Sequence, residues 1–274
     1  MKITFVEPRT ELKSVIQSIW IFESPVGMPV SASGMAAPSG RSKMIINYEN
    51  SIISIVEGRA SESKEGGFYF VGQRDIPVHI ATPGSKTGFI GVEFSPYGAY
   101  SIFGIPMIET TNSLVTVEEL LGKRGRELSV MLYDIKTPLE KIAFLQDWFA
   151  EMIISKKPAN SLVEHCVNCL KASNGLLPIS QLERNTGYSR RYFEMIFKNH
   201  VGLSPKALAG IFRFQKFYKM WAEGLSYEML REGLYDYYYD QSHFVKEFKR
   251  MTGFSPQHFT NNITNEFGRR LSLR

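Results

Sequence analysis

Apolar residues follow two different rhythms along this chain. In the first half they form short runs, Met44 to Tyr48, Ile52 to Val56, Phe68 to Val71 and Phe89 to Phe94, each bounded by Gly, Pro, Ser or Asn. Such runs and punctuation predict strands and turns. Further on, Thr116-x-x-Glu119 and Thr137-Pro-x-Glu140 have the form of capping boxes and precede apolar residues at helical spacing. In the second box Pro138 stands where its missing N–H costs nothing. That helix is expected over about Pro138 to Ile154. Lys156-Lys157-Pro158-Ala159-Asn160 then breaks the pattern, because Pro disfavours helix in the residue before it. The fold class expected is α+β, with a strand-rich sensing or dimerisation domain closed by helices over 1–157 and an all-helical domain over 158–274.

The helical part repeats itself. Phe197-Lys198-x-x-x-Gly202-x-Ser204-Pro205 returns 51 residues later as Phe248-Lys249-x-x-x-Gly253-x-Ser255-Pro256. Extending the comparison backwards pairs Ser189 with Asp240, both good N-caps, and Phe193 with Phe244. Each copy is therefore expected to be a helix that buries two Phe at i and i+4 and stops near its Gly, with Ser-Pro opening the next helix. Before the first copy, Ile179 to Thr186 reads as a short helix and Gly187-Tyr188 as a tight turn, which makes a helix-turn-helix. The faces left outward carry Arg190, Arg191, Glu194, Met195 and Lys198 in copy one, and Gln241, Ser242, His243, Lys246 and Lys249 in copy two. Arg matches the acceptor edge of guanine, Gln that of adenine, and Lys suits phosphate or guanine, so double-stranded DNA is the partner this chemistry selects.

Charge separates the halves in the same sense. Residues 1–157 carry 16 Lys and Arg against 17 Asp and Glu, whereas 158–274 carry 16 against 10, a net +6 on the repeated part. Hydrophobic residues at 43% and charged residues at 22% exclude disordered and low-complexity classes. No apolar run approaches a membrane span, and the opening MKITFVEPRTELK is too polar for a secretory signal, so a cytoplasmic location without membrane contact is expected.

With Phe-Lys and Gly-x-Ser-Pro in place, residues 160–262 resemble the AraC/XylS family of bacterial transcription regulators. The likeness is most specific in Tyr239-Asp240-Gln241-Ser242-His243-Phe244 and Phe248-Lys249-Arg250-x-x-Gly253-x-Ser255-Pro256. The resemblance implies two helix-turn-helix units joined by a long helix, Pro205 to about Glu223, with both recognition helices in successive major-groove segments. By position it carries over Arg191, Glu194 and Met195 in the first reader and Gln241, Ser242 and Lys246 in the second. Three positions depart from the pattern: Met195 offers only apolar contact, Glu183 replaces a small residue, and Tyr237 occupies a turn usually made by Gly. The tyrosine cluster Tyr235 to Tyr239 could pack against the linker helix or stack near the sugar-phosphate backbone, and packing is the use expected because most aromatics are core.

The first part is more weakly similar to effector domains that accompany this unit. Pro38-Ser39-Gly40, Ile45-Ile46-Asn47, Val71-Gly72-Gln73 and Gly91-Val92-x-Phe94-x-Pro96-x-Gly98 carry that likeness. It implies a small-molecule effector, with Trp20, Tyr48 and Phe94 as candidate lining residues. A homodimer and a contact with RNA polymerase are further partners the reading admits. No cofactor is implied.

Enzyme readings lack residues. His79 is the only histidine before residue 157, too few for a metal-dependent barrel oxygenase, and no Cys there could accept an alkyl group from DNA. Phosphate-binding Gly loops are missing. Cys166 and Cys169 beside His165 do not complete a zinc set and are expected to be structural, so no metal is expected. The competing non-enzymatic reading is a protein-docking module built on the duplicated helices.

Overall fold

A computed structural model describes residues 1–28, 34–82, 84, 86–154, 161–225, 238, 240–263 and 265–272. The proposed boundary near 157 and Tyr237 with most of its tyrosine cluster lie outside the described residues.

The first domain is built on two antiparallel sheets. One has the order β1 (Lys2–Val6), β2 (Ile16–Ser24), β9 (Thr87–Phe94), β4 (Lys43–Glu49), β7 (Phe68–Val71), β10 (Leu114–Thr116). The other runs β3 (Met35–Ala36), β8 (Val78–Ala81), β5 (Ile52–Val56), β6 (Arg59–Ser63). Every residue of β9 is buried because both faces of the larger sheet are covered. Ile90, Val92 and Phe94 face helices α1 (Gly98–Phe103), α3 (Lys123–Asp134) and α4 (Pro138–Ile154), where Phe94 meets Phe70, Phe103 and Phe149. Phe89 faces the other way and stacks on Phe22, 4.6 Å between ring centroids. Between these side chains Gly91 lets the Trp20 indole lie on the strand, since a Cβ there would come within 2.2 Å of it. The short α2 (Val117–Leu121) opens on Thr116 with both capping-box bonds formed, and Thr137 and Glu140 make the reciprocal pair before α4.

Helices α5 (Ser161–Ala172), α6 (Ile179–Thr186), α7 (Arg190–Val201), α8 (Pro205–Ala222), α9 (Gln241–Thr252), α10 (Pro256–Asn262) and α11 (Glu266–Ser272) make the second domain. α8 is its spine, burying Leu208, Ile211, Phe214, Phe217 and Tyr218. On it rest Phe244 and Phe248 of α9, 4.9 and 5.2 Å from the Phe217 ring. Among the described residues no helix is long and apolar enough to cross a membrane.

The two domains share their interior. Met35 and Tyr97 of the first complete the core of the second, and Tyr97 donates to Glu164 of α5 at 3.0 Å. In the other direction Phe267 of α11 is buried among Trp20, Phe22 and Phe89. Pro38-Ser39-Gly40 seats α8: Gln215 donates to the Pro38 carbonyl, and a Cβ on Gly40 would press on Leu208.

Candidate nucleic-acid interface and ligand cavity

The two copies share their termini. Ser189 accepts from the Tyr192 amide at 3.4 Å and Asp240 from the His243 amide at 2.7 Å, so each cap oxygen serves one of the free N–H groups at the start of α7 or α9. Each helix ends on a glycine in the left-handed region, Gly202 at φ 87° and Gly253 at φ 83°, and Ser204 and Ser255 cap the helices that follow. Phe193 and Phe197, like Phe244 and Phe248, are fully buried and fix which way the remaining side chains point. The turn before α7 uses Gly187 at φ 70°. The first helix of the second unit falls outside the described residues.

Arg190, Arg191 and Met195 stand exposed on α7, while Glu194 and Lys198 are half-buried. Glu194 lies 3.6 Å from Arg190 and 3.9 Å from Lys198, and Glu183, the residue that departs from the family pattern, reaches Arg190 at 3.5 Å. Two carboxylates therefore offset the cations of α7. On α9, Gln241, Ser242, His243, Lys246 and Lys249 are all exposed. The α9 carboxylate, Glu247, turns inward to Arg213 at 3.4 Å, and Arg250 is held by Asp75 of the first domain at 3.2 Å. Among the described residues neither Lys246 nor Lys249 has an acidic partner, so α9 presents the more positive face.

The far end of α7 is a docking end. His200 packs on Tyr100, 3.8 Å between ring centroids, and its Nδ1–H donates to the Ile196 carbonyl at 2.8 Å. Burial lowers its pKa. Beside it Thr111 donates to the Gly202 carbonyl at 2.5 Å.

The sheets enclose a cavity of about 80 Å³ as a water molecule samples it, enough for several waters. Its walls are mainly apolar, with Trp20, Ile45, Val78 and Phe89 from the strands and Phe267 and Leu271 from α11. Arg41, Lys43 and Arg74 also line it. Behind Arg41 and Lys43 sits Glu93, bonded to them at 2.8 and 2.9 Å. Burial alone would raise the Glu93 carboxyl, but Lys43 and Arg41 outweigh it and hold it down to about 2.

Of the three residues suggested as lining, Trp20 borders this cavity. Tyr48 borders a separate, more polar cleft with Tyr133, Lys136 and Lys141. Phe94 does not line either space; its ring belongs to the helix-side core, on the opposite face of β9 from Phe89. Sequence reasoning missed Arg41, Arg74, Phe267 and Leu271. Arg74 follows Val71-Gly72-Gln73, but nothing in local spacing ties residue 267 to strand β2. Cys166 is on the buried face of α5 with its thiol pushed up to about 11 by burial, while Cys169 is half-buried, 3.5 Å from His165 Nε2.

Residues 182–262 match a family model described as a helix-turn-helix domain, and residues 4–116 match a domain of unknown function (DUF6597). No curated relative matches the chain. Among solved structures, ToxT from Vibrio cholerae O395 is 11% identical over 92% of this chain and 99% of its own, with a TM-score of 0.46. ToxT of strain SCE256 with a bound unsaturated fatty acid is 10% identical over 94% and 98%, with a TM-score of 0.47. An HTH_3 family transcriptional regulator from Vibrio cholerae is 17% identical over 35% and 51%, with a TM-score of 0.27.

Proposed function

From the helix-turn-helix model matched over residues 182–262 and the AraC/XylS-like signature running from Tyr239 to Pro256, we propose that the chain is a one-component DNA-binding transcription regulator of the AraC type. Its second domain reads duplex DNA through α7 and α9, and its first domain receives a small molecule in the cavity lined by Trp20 and Phe89. Cytoplasmic location, homodimerisation and contact with RNA polymerase belong to the same proposal.

The observation that carries it is the duplication itself. Two helices 51 residues apart are capped, stopped and anchored by the same residue types, and both turn hydrogen-bond donors outward. Joined by one rigid helix, such units can meet major-groove segments about 34 Å apart. Within that geometry Gln241, Ser242 and Lys246 read base edges, Arg191 does so from α7, and Lys198, Lys249 and Arg190 meet phosphates. Glu194 positions Arg190 and Lys198, and Met195 offers apolar contact to a thymine methyl. His243 sits at the same rim.

Selection from randomised duplexes, with affinities measured at several salt concentrations on the full chain, tests this. Gln241→Ala with Lys246→Ala should relax preference in one half of the site, about 1–3 kcal/mol for each base-edge hydrogen-bonding side chain removed. Met195→Ala should have a smaller effect. Lys249→Ala should weaken all sequences alike and reduce the salt slope by about 1. Duplex binding that is absent, or indifferent to salt, would refute the regulator reading and favour a protein-docking module.

A further inference from the structure

The ligand cavity is finished by the wrong domain. Phe267 and Leu271, which close it, belong to α11, and α11 is tied to the DNA-reading part. Asn265, just before it, donates to the Met35 carbonyl in the first domain at 2.8 Å and to the Tyr218 hydroxyl of α8 at 2.7 Å. Arg269 donates to the Ala222 carbonyl at the end of α8 at 2.6 Å. Phe267 sits edge-on to Trp20 and Phe22, 6.3 and 5.4 Å between ring centres, in the gap between the two sheets. With these two side chains in place the space holds several waters and no drug-sized molecule, since known ligand pockets run to about 300 Å³ and more.

The charged groups on the wall have one sign: Arg41, Lys43 and Arg74. Trp20 Nε1 and Arg74 Nε are both buried donors without an acceptor. Arg74 is anchored through a 3.2 Å bond from Nη1 to the Asn112 carbonyl and has no carboxylate partner among the described residues. Its neighbour Asp75 is engaged with Asn112 and Arg250 instead. Arg41 and Lys43 share the single carboxylate of Glu93. No Asp or Glu is among the described lining residues. Buried donors left unpaired are unfavourable, so this wall awaits acceptors, and the excess of cations awaits a negative one.

We propose that the cavity binds an apolar molecule ending in one anionic group, met by Arg74 and the Trp20 indole N–H, and that α11 is a plug which the ligand must displace. This rests on the effector reading of the first domain. Ligand and docked Phe267 then compete for one space. Displacing α11 releases Asn265 from Tyr218 and Arg269 from the end of α8, which is how occupancy reaches the helix carrying the second reader. Because the competition is a coupling between two states, removing the plug by mutation should imitate the ligand.

The test uses the full chain and a matched pair of fluorescent dyes, 8-anilinonaphthalene-1-sulfonate and its uncharged counterpart N-phenyl-1-naphthylamine, with near-UV circular dichroism confirming the fold of each variant. One sulfonate dye should bind per chain, more tightly than the neutral dye. Arg74→Gln and Trp20→Phe should each weaken the sulfonate dye, Arg74→Gln by about tenfold, and leave the neutral dye unchanged. Phe267→Ala should tighten both dyes by about tenfold, because the competing occupant is gone. Leu271→Ala, a smaller change at the same wall, serves if Phe267→Ala does not fold, and should shift affinity the same way. DNA affinity of the folded plug variant without dye should move in the same direction as that of the wild type saturated with dye. Unchanged or weaker dye binding by folded plug variants would overturn the plug. Equal binding of both dyes, or equal loss on Arg74→Gln, would overturn the anion site. If the chain binds DNA but these dye results fail, this inference falls and the regulator reading stands; if DNA binding fails, the dye results still judge the cavity.

Discussion

Glu93 shows how a single buried carboxylate can organise one side of the cavity. It accepts from Arg41, Lys43 and Ser18, and no aqueous group can replace those partners at 5% exposure. Glu93→Gln leaves two cations facing a neutral amide and should destabilise the chain by roughly 3 kcal/mol, read as a lower urea midpoint. The pH dependence follows from the same geometry. The folded carboxyl titrates at about 2 and the unfolded one at 4.5, so the stabilisation is fully present above 4.5 and is lost as pH falls toward 2. Denaturation curves over that window should be flatter for Glu93→Gln than for wild type. At this scale the sequence was only partly readable. Phe89 and Phe94 both sit in one apolar run, but an odd separation of five puts them on opposite faces of the strand. With both faces of β9 buried, hydropathy cannot say which face borders a cavity.

The repeated helices were the most readable elements, because capping, stopping and burial are local chemistry. Strands β4, β5, β7 and β9 were legible for a similar reason, as apolar runs between turn residues. Strand β6 was not: Arg59–Ser63 is polar and exposed along most of its length, and only pairing with β5 makes it a strand. The repeat also allows a controlled comparison. Gly202 and Gly253 have matching positive φ, so Ala should cost about 1 kcal/mol at either from backbone strain. Around Gly253 a new Cβ meets nothing, whereas at Gly202 it would lie 3.1 Å from the Met107 carbonyl and 3.2 Å from Thr111. Gly202→Ala should therefore destabilise the chain more than Gly253→Ala in paired urea titrations.

Over the whole molecule, the sequence reading of two successive domains misses how far each enters the other. Local periodicity records that Phe267 is apolar, but its partners lie over 170 residues away in sequence, and only the completed sheets create the slot it fills. Shared burial of Met35, Tyr97 and Phe267 predicts one cooperative heat-absorption peak for the full chain; two separate peaks would mean the domains fold independently. The cysteine pair on α5 lends itself to watching that seam directly. Cys166 is sealed and its thiol is pushed up to about 11, so at neutral pH a maleimide should attach at Cys169, giving one mass increment. Since α5 also carries Glu164, the partner of Tyr97 across the domains, a fluorophore placed there without any engineered mutation becomes a native reporter of whether the two halves stay together when duplex DNA or a small molecule is added.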